Sequence, residues 1–249
     1  MITIRERGVA YTLLGLFALI SVGPILGVVL LAFNAPGTQV SGFQLPDGIH
    51  LETFRDAWRT AQFSLYLRSS VIVAAAVVTG ATLLSILSGY AFGLMRFRGR
   101  EALFYLLLTG MIVPFEVVIV PLYYDLRAYD LTDTYWSLIL PQIALDVAFG
   151  TYWMRAYFRS VPQALVDAAA VDGAGTWRTL WRVIMPNARP AVLTLVLLLF
   201  MWSWNDFLTA LVMVQSDHLR TAPLGLAFFA GQHSTDRVGM AAAALMVAT

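Results

Sequence analysis

The chain reads as an all-α protein that crosses a membrane several times, and three observations carry that reading. Apolar residues make up 59% of the sequence and charged residues 12%, with a mean hydropathy of +0.73, whereas soluble domains carry about 25% charged residues. The apolar residues come in runs of about 25 with almost no charge, enough to cross a ~30 Å hydrocarbon core. Between two of those runs lies a polar interruption, residues 159–190, with helix start and stop signals of its own.

The first run, 9–33, follows Arg5 and Arg7 as a signal sequence would. It is too long for a signal core of roughly 7–15 residues, and no small-x-small cleavage site follows, so it is expected to be an uncleaved first span. The connection 34–64 holds turn formers (Asn34-Ala-Pro-Gly37, Pro46-Asp-Gly48) and an amphipathic stretch over 51–63 suited to the membrane surface. The second span, 66–95, repeats Ala81, Ser85, Gly89 and Gly93 every fourth residue, a spacing that lets another helix approach closely. Further spans are expected over 101–122, 136–158 and 190–214. A sixth begins near 237 and is still apolar at Thr249. It holds about a dozen residues against the ~20 a span needs, so the sequence is expected to stop partway through a helix. No internal repeat breaks residues 1–249 into more than one transmembrane domain.

Within 159–190, Ser160 followed by Gln163 is a capping-box signature, with Pro162 in the tolerant first turn. Gly173 sits where a left-handed helix cap is wanted, about twelve residues on. A second short helix is expected to start at Thr176 and to stop before Pro186. Idle connections are usually shorter than this.

Six spans place the connections alternately on two sides. One side carries arginines 5, 7, 96, 98, 100, 155, 159, 178, 182 and 189; the other carries 55, 59, 68, 127, 220 and 237. The excess, concentrated in short loops such as Arg96-Phe-Arg-Gly-Arg100, puts the first set in the cytoplasm. The N-terminus and the 159–190 loop are then cytoplasmic.

The sequence has no cysteine, and all 16 basic residues are arginine. Thiolate metal sites, cysteine nucleophiles, phosphate-binding P-loops and Schiff-base lysines are therefore excluded from this chain. No nucleophile–base pair stands in register, and His50, His218 and His233 each stand alone in an outer loop. An enzyme is not expected, nor is a nucleic-acid partner. Any ATP-driven work must come from another subunit.

The loop resembles the signature of binding-protein-dependent ABC importer permeases, E-A-A-x3-G-x9-I-x-L-P. Here it reads Asp167-Ala168-Ala169, then Gly173, then Val183-Ile184-Met185-Pro186, with the spacing intact. Aspartate stands where glutamate is usual, valine for isoleucine and methionine for leucine. Other stretches resemble the same family: Tyr90-Ala-Phe-Gly-Leu-Met-Arg-Phe-Arg-Gly-Arg100, Met111-Ile-Val-Pro114, Val120-Pro-Leu-Tyr123, Leu138-Ile-Leu-Pro141, Trp204-Asn-Asp-Phe-Leu208 and Thr221-Ala-Pro-Leu-Gly-Leu226. Together they cover most of the chain from about residue 66 and look like the carbohydrate-type permeases related to the smaller permease of the maltose importer.

The resemblance implies a subunit of a sugar importer in a bacterial or archaeal inner membrane. Its expected partners are a second, different permease, two cytoplasmic ATPase subunits that bind ATP and Mg, an extracytoplasmic solute-binding protein and the lipid bilayer. This chain binds no cofactor itself. The resemblance further implies a coupling helix that docks on the ATPase through Leu165, Asp167, Ala168, Ala169, Asp172, Gly173 and Pro186. Leu165, Ala168, Ala169 and Val171 are expected to form one small apolar face. The loop's chemistry alone is equally that of an amphipathic hairpin lying on the bilayer surface.

Glu116, Asp146, Asn205 and Asp206 fall within spans, where polar and ionisable groups are functional candidates by default. Glu116, Asn205 and Asp206, with the rings of Tyr123 and Trp204, are candidates to line a sugar pathway by accepting hydroxyl hydrogen bonds and stacking on sugar faces. Asn205 and Asp206 are also suited simply to lock helices together. Two other classes remain open on these residues: an ion-coupled secondary transporter using Glu116, Asp146 or Asp206, and a membrane scaffold.

Overall fold

A computed structural model describes residues 4–38, 45–60, 62–232 and 237–248. The elements among them are all helical: α1 (Ile4–Ala32), α2 (Glu52–Thr60), α3 (Phe63–Leu94), α4 (Arg100–Thr109), α5 (Phe115–Ala128), α6 (Tyr135–Ser160), α7 (Gln163–Val171), α8 (Thr176–Arg178), α9 (Met185–Asn205), α10 (Leu208–Met213), α11 (Ala222–Gln232) and α12 (Arg237–Ala248). A 3-10 turn, Gly110–Ile112, follows α4, and a π-helical stretch, Thr179–Ile184, joins α8 to α9. The chain divides into two compact units, Met1–Leu67 with Ala222–Thr249, and Arg68–Thr221.

In the first unit, α1 is closed by Asn34, whose amide donates to the Leu30 and Leu31 carbonyls at 3.0 and 3.2 Å. A helix end has carbonyls without intrahelical partners, and a short amide side chain satisfies them. The amphipathic stretch expected over 51–63 forms α2, tied to the end of α1 by Thr53 Oγ1 donating to the Asn34 carbonyl (2.8 Å). Helices α1, α2 and α11 pack on α12, whose buried Ala241, Ala242 and Ala243 keep the axes close. Phe63 is fully buried among Trp58, Tyr66 and Phe229, with ring centroids 6.3 to 6.4 Å away. Helix α11 has no counterpart among the elements expected from the sequence.

In the second unit, α3 and α6 meet through the small-residue row. A Cβ on Gly89 would lie 2.6 Å from Met154 Cβ and 3.0 Å from the Arg155 nitrogen, and one on Gly93 would lie 2.9 Å from Phe158 Cβ. Gly150 answers from α6, where a Cβ would strike Ser85. Ser88 and Thr151 hydroxyls share a hydrogen bond of 2.6 Å across the same seam. The reading of this row as helix packing holds. The core beside it gathers Tyr90, Met154, Phe158, Leu180, Ile184, Leu195 and Leu199 from α3, α6, the π stretch and α9.

Several expectations are corrected. The span expected over 101–122 is a broken pair, with α4 and its 3-10 turn bent by 97° from α5. Pro114 causes the break: it has no N–H to continue the ladder and biases Val113 to extended backbone (φ −77°, ψ 121°). The span expected over 190–214 is displaced, running as one continuous helix, Thr176–Asn205, and breaking at Asp206 before α10. Among the described residues three helices are long and apolar enough to cross a membrane, or four if the bent pair counts as one. The six-span count therefore does not follow from helix length and composition. Helix α6 has the length, but Gln142, Asp146, Arg155 and Arg159 dilute its hydropathy.

Candidate functional site

The hairpin after α6 is built by proline and glycine. Ser160 does not cap α7, as the capping box predicts; it ends α6, and its hydroxyl donates back to the Tyr157 carbonyl at 2.7 Å. Pro162 biases Val161 to extended backbone (φ −68°, ψ 127°), so the chain can turn helical again only after it. Pro162 itself occupies the N-cap, without a side-chain hydrogen bond. Gln163, the other half of the expected box, donates instead to Asp167 Oδ1 at 3.0 Å. At the far end Gly173 takes φ +73°, as its position predicts. Its N–H donates to the Ala170 carbonyl (3.0 Å), and the Ala174 N–H to the Ala169 carbonyl (2.9 Å). That nested pair is a Schellman cap, which needs a residue free to adopt the left-handed region.

Helix α7 divides its side chains between two faces. Ala169 is buried and Val166 half-buried, turned toward the chain's own core. Leu165, Asp167, Ala168, Val171 and Asp172 are exposed, Val171 at 88%. The single apolar face expected for Leu165, Ala168, Ala169 and Val171 is thus split, because residues 168 and 169 lie about 100° apart around a helix. The buried side rests on the π stretch, whose Leu180 and Ile184 are themselves in the core.

The second helix of the hairpin does not stop before Pro186. A proline inside a helix lacks its N–H, and its ring strikes the carbonyl four residues back. Here that carbonyl belongs to Arg182, within the π stretch, where the Met185 N–H donates to Leu180, five residues back. The wider register moves the obstructing carbonyl aside. Pro186 then passes as an exposed residue in the first turn of α9.

Of the residues proposed for a pathway, the structure gathers Asp206 into a polar cluster at the α9–α10 break. Gln142 Nε2 donates to Asp206 Oδ2 (3.3 Å), Ser203 Oγ to Gln142 Oε1 (2.7 Å) and Thr209 Oγ1 to Asp206 Oδ1 (3.0 Å). Gln142, Ser203 and Thr209 are buried, so this cluster fastens α6 to the break. Gln142 was missed because it carries no charge; a lone amide in the run Leu138-Ile-Leu-Pro-Gln142 was the available signal. Asp146, half-buried, lies one helical turn beyond Gln142. Asn205 stands apart, exposed, its amide donating to the Met201 carbonyl at 2.7 Å. Trp204 leans on Phe200 (5.4 Å), and Tyr123 on Tyr124 (5.6 Å). Glu116 is exposed in the first turn of α5, which packs against α10.

Two further polar anchors went unpredicted. Arg155 is 8% exposed. It pairs with Glu101 (2.6 Å), donates to the Phe92 carbonyl (3.2 Å) and lies 3.8 Å over the Phe104 ring, joining α6 to α3 and α4. Asp133, at φ +55°, accepts from the Gln215 and Ser216 N–H groups at 2.9 Å each and from the Ser216 hydroxyl. Burial alone would raise its pKa, but those bonds and the nearby His218 hold the carboxyl below the usual aspartate range. Of the three histidines, His50 lies 3.1 Å from Glu52, and His233 is outside the described residues.

The family profile described as binding-protein-dependent transport system inner membrane component matches residues 81–249. The chain is 31% identical over 233 residues to the diacetylchitobiose uptake system permease protein NgcG of Streptomyces coelicolor, covering 93% of this chain and 77% of that one. It is 30% identical over 227 residues to the trehalose transport system permease protein SugB of Mycobacterium tuberculosis (91% and 83%). To the sn-glycerol-3-phosphate transport system permease protein UgpE of Pectobacterium atrosepticum it is 32% identical over 200 residues (78% and 69%). A chain of a bacterial ABC transporter involved in the import of the acidic polysaccharide alginate shares the fold, with a TM-score of 0.82, 23% identity and coverage of 100% of this chain and 93% of that one.

Proposed function

We propose that this chain, which belongs to the family of binding-protein-dependent transport system inner membrane components, uses the α7–Gly173 hairpin to take up the motion of a cytoplasmic ATPase. The protein is a multi-pass ABC importer permease and not an enzyme. That membership sets aside the ion-coupled transporter. The N-terminus, the 96–100 turn and the hairpin face the cytoplasm in this reading, on the arginine distribution. The solute is a sugar or sugar-like molecule, a reading supported by relatives named for diacetylchitobiose, trehalose and sn-glycerol-3-phosphate transport.

One observation carries the coupling role. Helix α7 rests on the π stretch, and that stretch belongs to the continuous helix Thr176–Asn205. A push on the exposed side of α7 is therefore delivered to a membrane helix through packed side chains, with no slack loop between. Leu165, Asp167, Ala168 and Asp172 offer the contact. Ala169 seats the helix, Gly173 turns the chain, and Pro186 marks where the second helix leaves the π stretch. Two ATPase subunits bind ATP and Mg and close on this hairpin and on its counterpart in a second permease of different sequence. The spans then rock between inward-open and outward-open states, taking sugar from an external binding protein.

Gly173→Val tests the role. A β-branched residue at φ +73° is held in a region that costs about 1–2 kcal/mol, so the cap is expected to open while the spans insert normally. ATP-driven uptake by the reconstituted complex should fall by at least about tenfold, with membrane insertion unchanged. Unaltered uptake would remove the hairpin from the mechanism.

A further inference from the structure

The turn that joins α3 to α4, Arg96-Phe-Arg-Gly-Arg100, is more basic than its own structure requires. Arg100 is committed: Nη1 donates to the Met95 carbonyl (3.0 Å) and closes the turn, while Nη2 pairs with Glu101 (2.9 Å). Glu101 is in turn held by the buried Arg155 at 2.6 Å. One carboxylate thus answers two guanidinium groups. Arg96 and Arg98 are exposed and, among the described residues, have no ion-pair partner. Charge of one sign is left standing at the end of a membrane helix.

The turn also encloses space. Arg96, Phe97, Gly99, Arg100, Glu101 and Ala102 line an open pocket of about 470 Å³. Close by lies an apolar groove of about 230 Å³, lined by Leu87, Tyr90, Met95, Thr176, Trp177 and Leu180. Met95 lines the groove, and the next residue in the chain, Arg96, lines the basic pocket. Met95, Phe97 and Trp177, which line these spaces, and Leu103, Tyr105 and Leu106 on α4 are exposed, from 40% to 67%. An apolar groove that includes Met95 and Trp177, followed in the chain by the exposed Arg96 and Arg98 of the same turn, has the polarity of one lipid molecule with an anionic head.

We propose that this turn binds an anionic phospholipid, with the phosphate at Arg96 and Arg98 and an acyl chain along the groove beside Leu87, Met95 and Trp177. The site takes its lipid from the leaflet that the turn faces, the cytoplasmic one if the orientation proposed above holds; the binding itself does not depend on that orientation. The lipid covers apolar surface between α3 and α8 and neutralises the charge left by the turn. It would thereby brace the start of the helix on which α7 rests.

The test uses the purified full-length complex in nanodiscs containing phosphatidylglycerol and phosphatidylcholine, with retained lipids counted by native mass spectrometry. The wild-type protein is expected to retain phosphatidylglycerol in preference. Each arginine removed should lower that preference about fivefold, and Arg96→Gln with Arg98→Gln roughly twentyfold. Arg96→Lys with Arg98→Lys should restore most of it and separates lost charge from lost fold; Arg59→Gln should leave it unchanged. A double glutamine variant with full preference would overturn the site, as would loss of the ATPase from the complex while the lipid count stays the same. Inorganic phosphate displacing the lipid at millimolar concentration would also overturn it, since the groove would then contribute nothing. Because the chain has no cysteine, Phe97→Cys labelled by an impermeant maleimide reports the side separately. Labelling from outside would refute the orientation and leave the lipid count to decide the site.

Discussion

Asp133 shows how one residue with an unusual backbone holds two distant segments together. Its left-handed conformation turns the carboxylate onto the amides of residues 215 and 216, and its own N–H donates to the Met213 carbonyl at 3.0 Å. The folded pKa lies below the ordinary 3.8, by hydrogen bonds from Ser216 and Gln215 that outweigh burial. The sign follows: the ionised latch contributes its full stability above the unfolded value and loses it as pH falls through the depressed one. Between about pH 5 and about pH 3 the thermal midpoint of the wild-type protein should drop more steeply than that of Asp133→Asn. Parallel curves in detergent would show that the latch is not ionised. An aspartate in a polar loop gives no hint of this in sequence, since its partners lie 82 and 83 positions away.

Among elements, the α3–α6 pair was the most legible. A row of small residues spaced by four announces close approach, and Gly89, Gly93 and Gly150 all sit where an added Cβ meets the other helix. Gly89→Ala is expected to destabilise by about 1–3 kcal/mol through overpacking. Gly110→Ala, with nothing within 4 Å of the added carbon, should be close to neutral. Thermal midpoints of the two purified variants check the contrast, and equal shifts would mean that α3 and α6 do not rely on the seam. The breaks were less legible. Pro114 and Pro186 each follow a short apolar run, Met111-Ile-Val113 and Val183-Ile-Met185, yet the first bends the chain by 97° and the second is absorbed. Proline specifies a missing donor; whether the helix stops or widens depends on what packs around it. At Pro186 the buried Leu180 and Ile184 hold the π stretch in place.

For the whole molecule, the spacing of residues 167 to 186 carries the family resemblance, and with all 16 basic residues arginine the proposed ATP-driven work falls to another subunit. Uptake by vesicles containing the full complex should require ATP inside and binding protein outside, and should survive a protonophore. Uptake that persists without ATP and collapses with the protonophore would contradict the energy source. The contacts of the candidate pathway residues were legible only in part. Asp206 and Asn205 are adjacent in sequence, yet one is tied across to α6 and the other to its own helix. Adjacent side chains leave a helix end in different directions, and only the packed neighbours decide which of them meets a partner.

Composition and apolar run length by themselves determined that this chain is a helical membrane protein, and proline and glycine signals determined where the hairpin lies and that Gly173 turns it, because each depends on local covalent constraints or on bulk transfer to lipid. That it is a permease came from the likeness of its motifs to a known family. Tertiary structure alone decided that α7 rests on a helix running unbroken from Thr176, that Gln142 and Asp206 meet, and that Arg96 and Arg98 have no ion-pair partner among the described residues. Those are matters of which surfaces come into contact, and a contact between distant residues leaves no periodic trace along the chain.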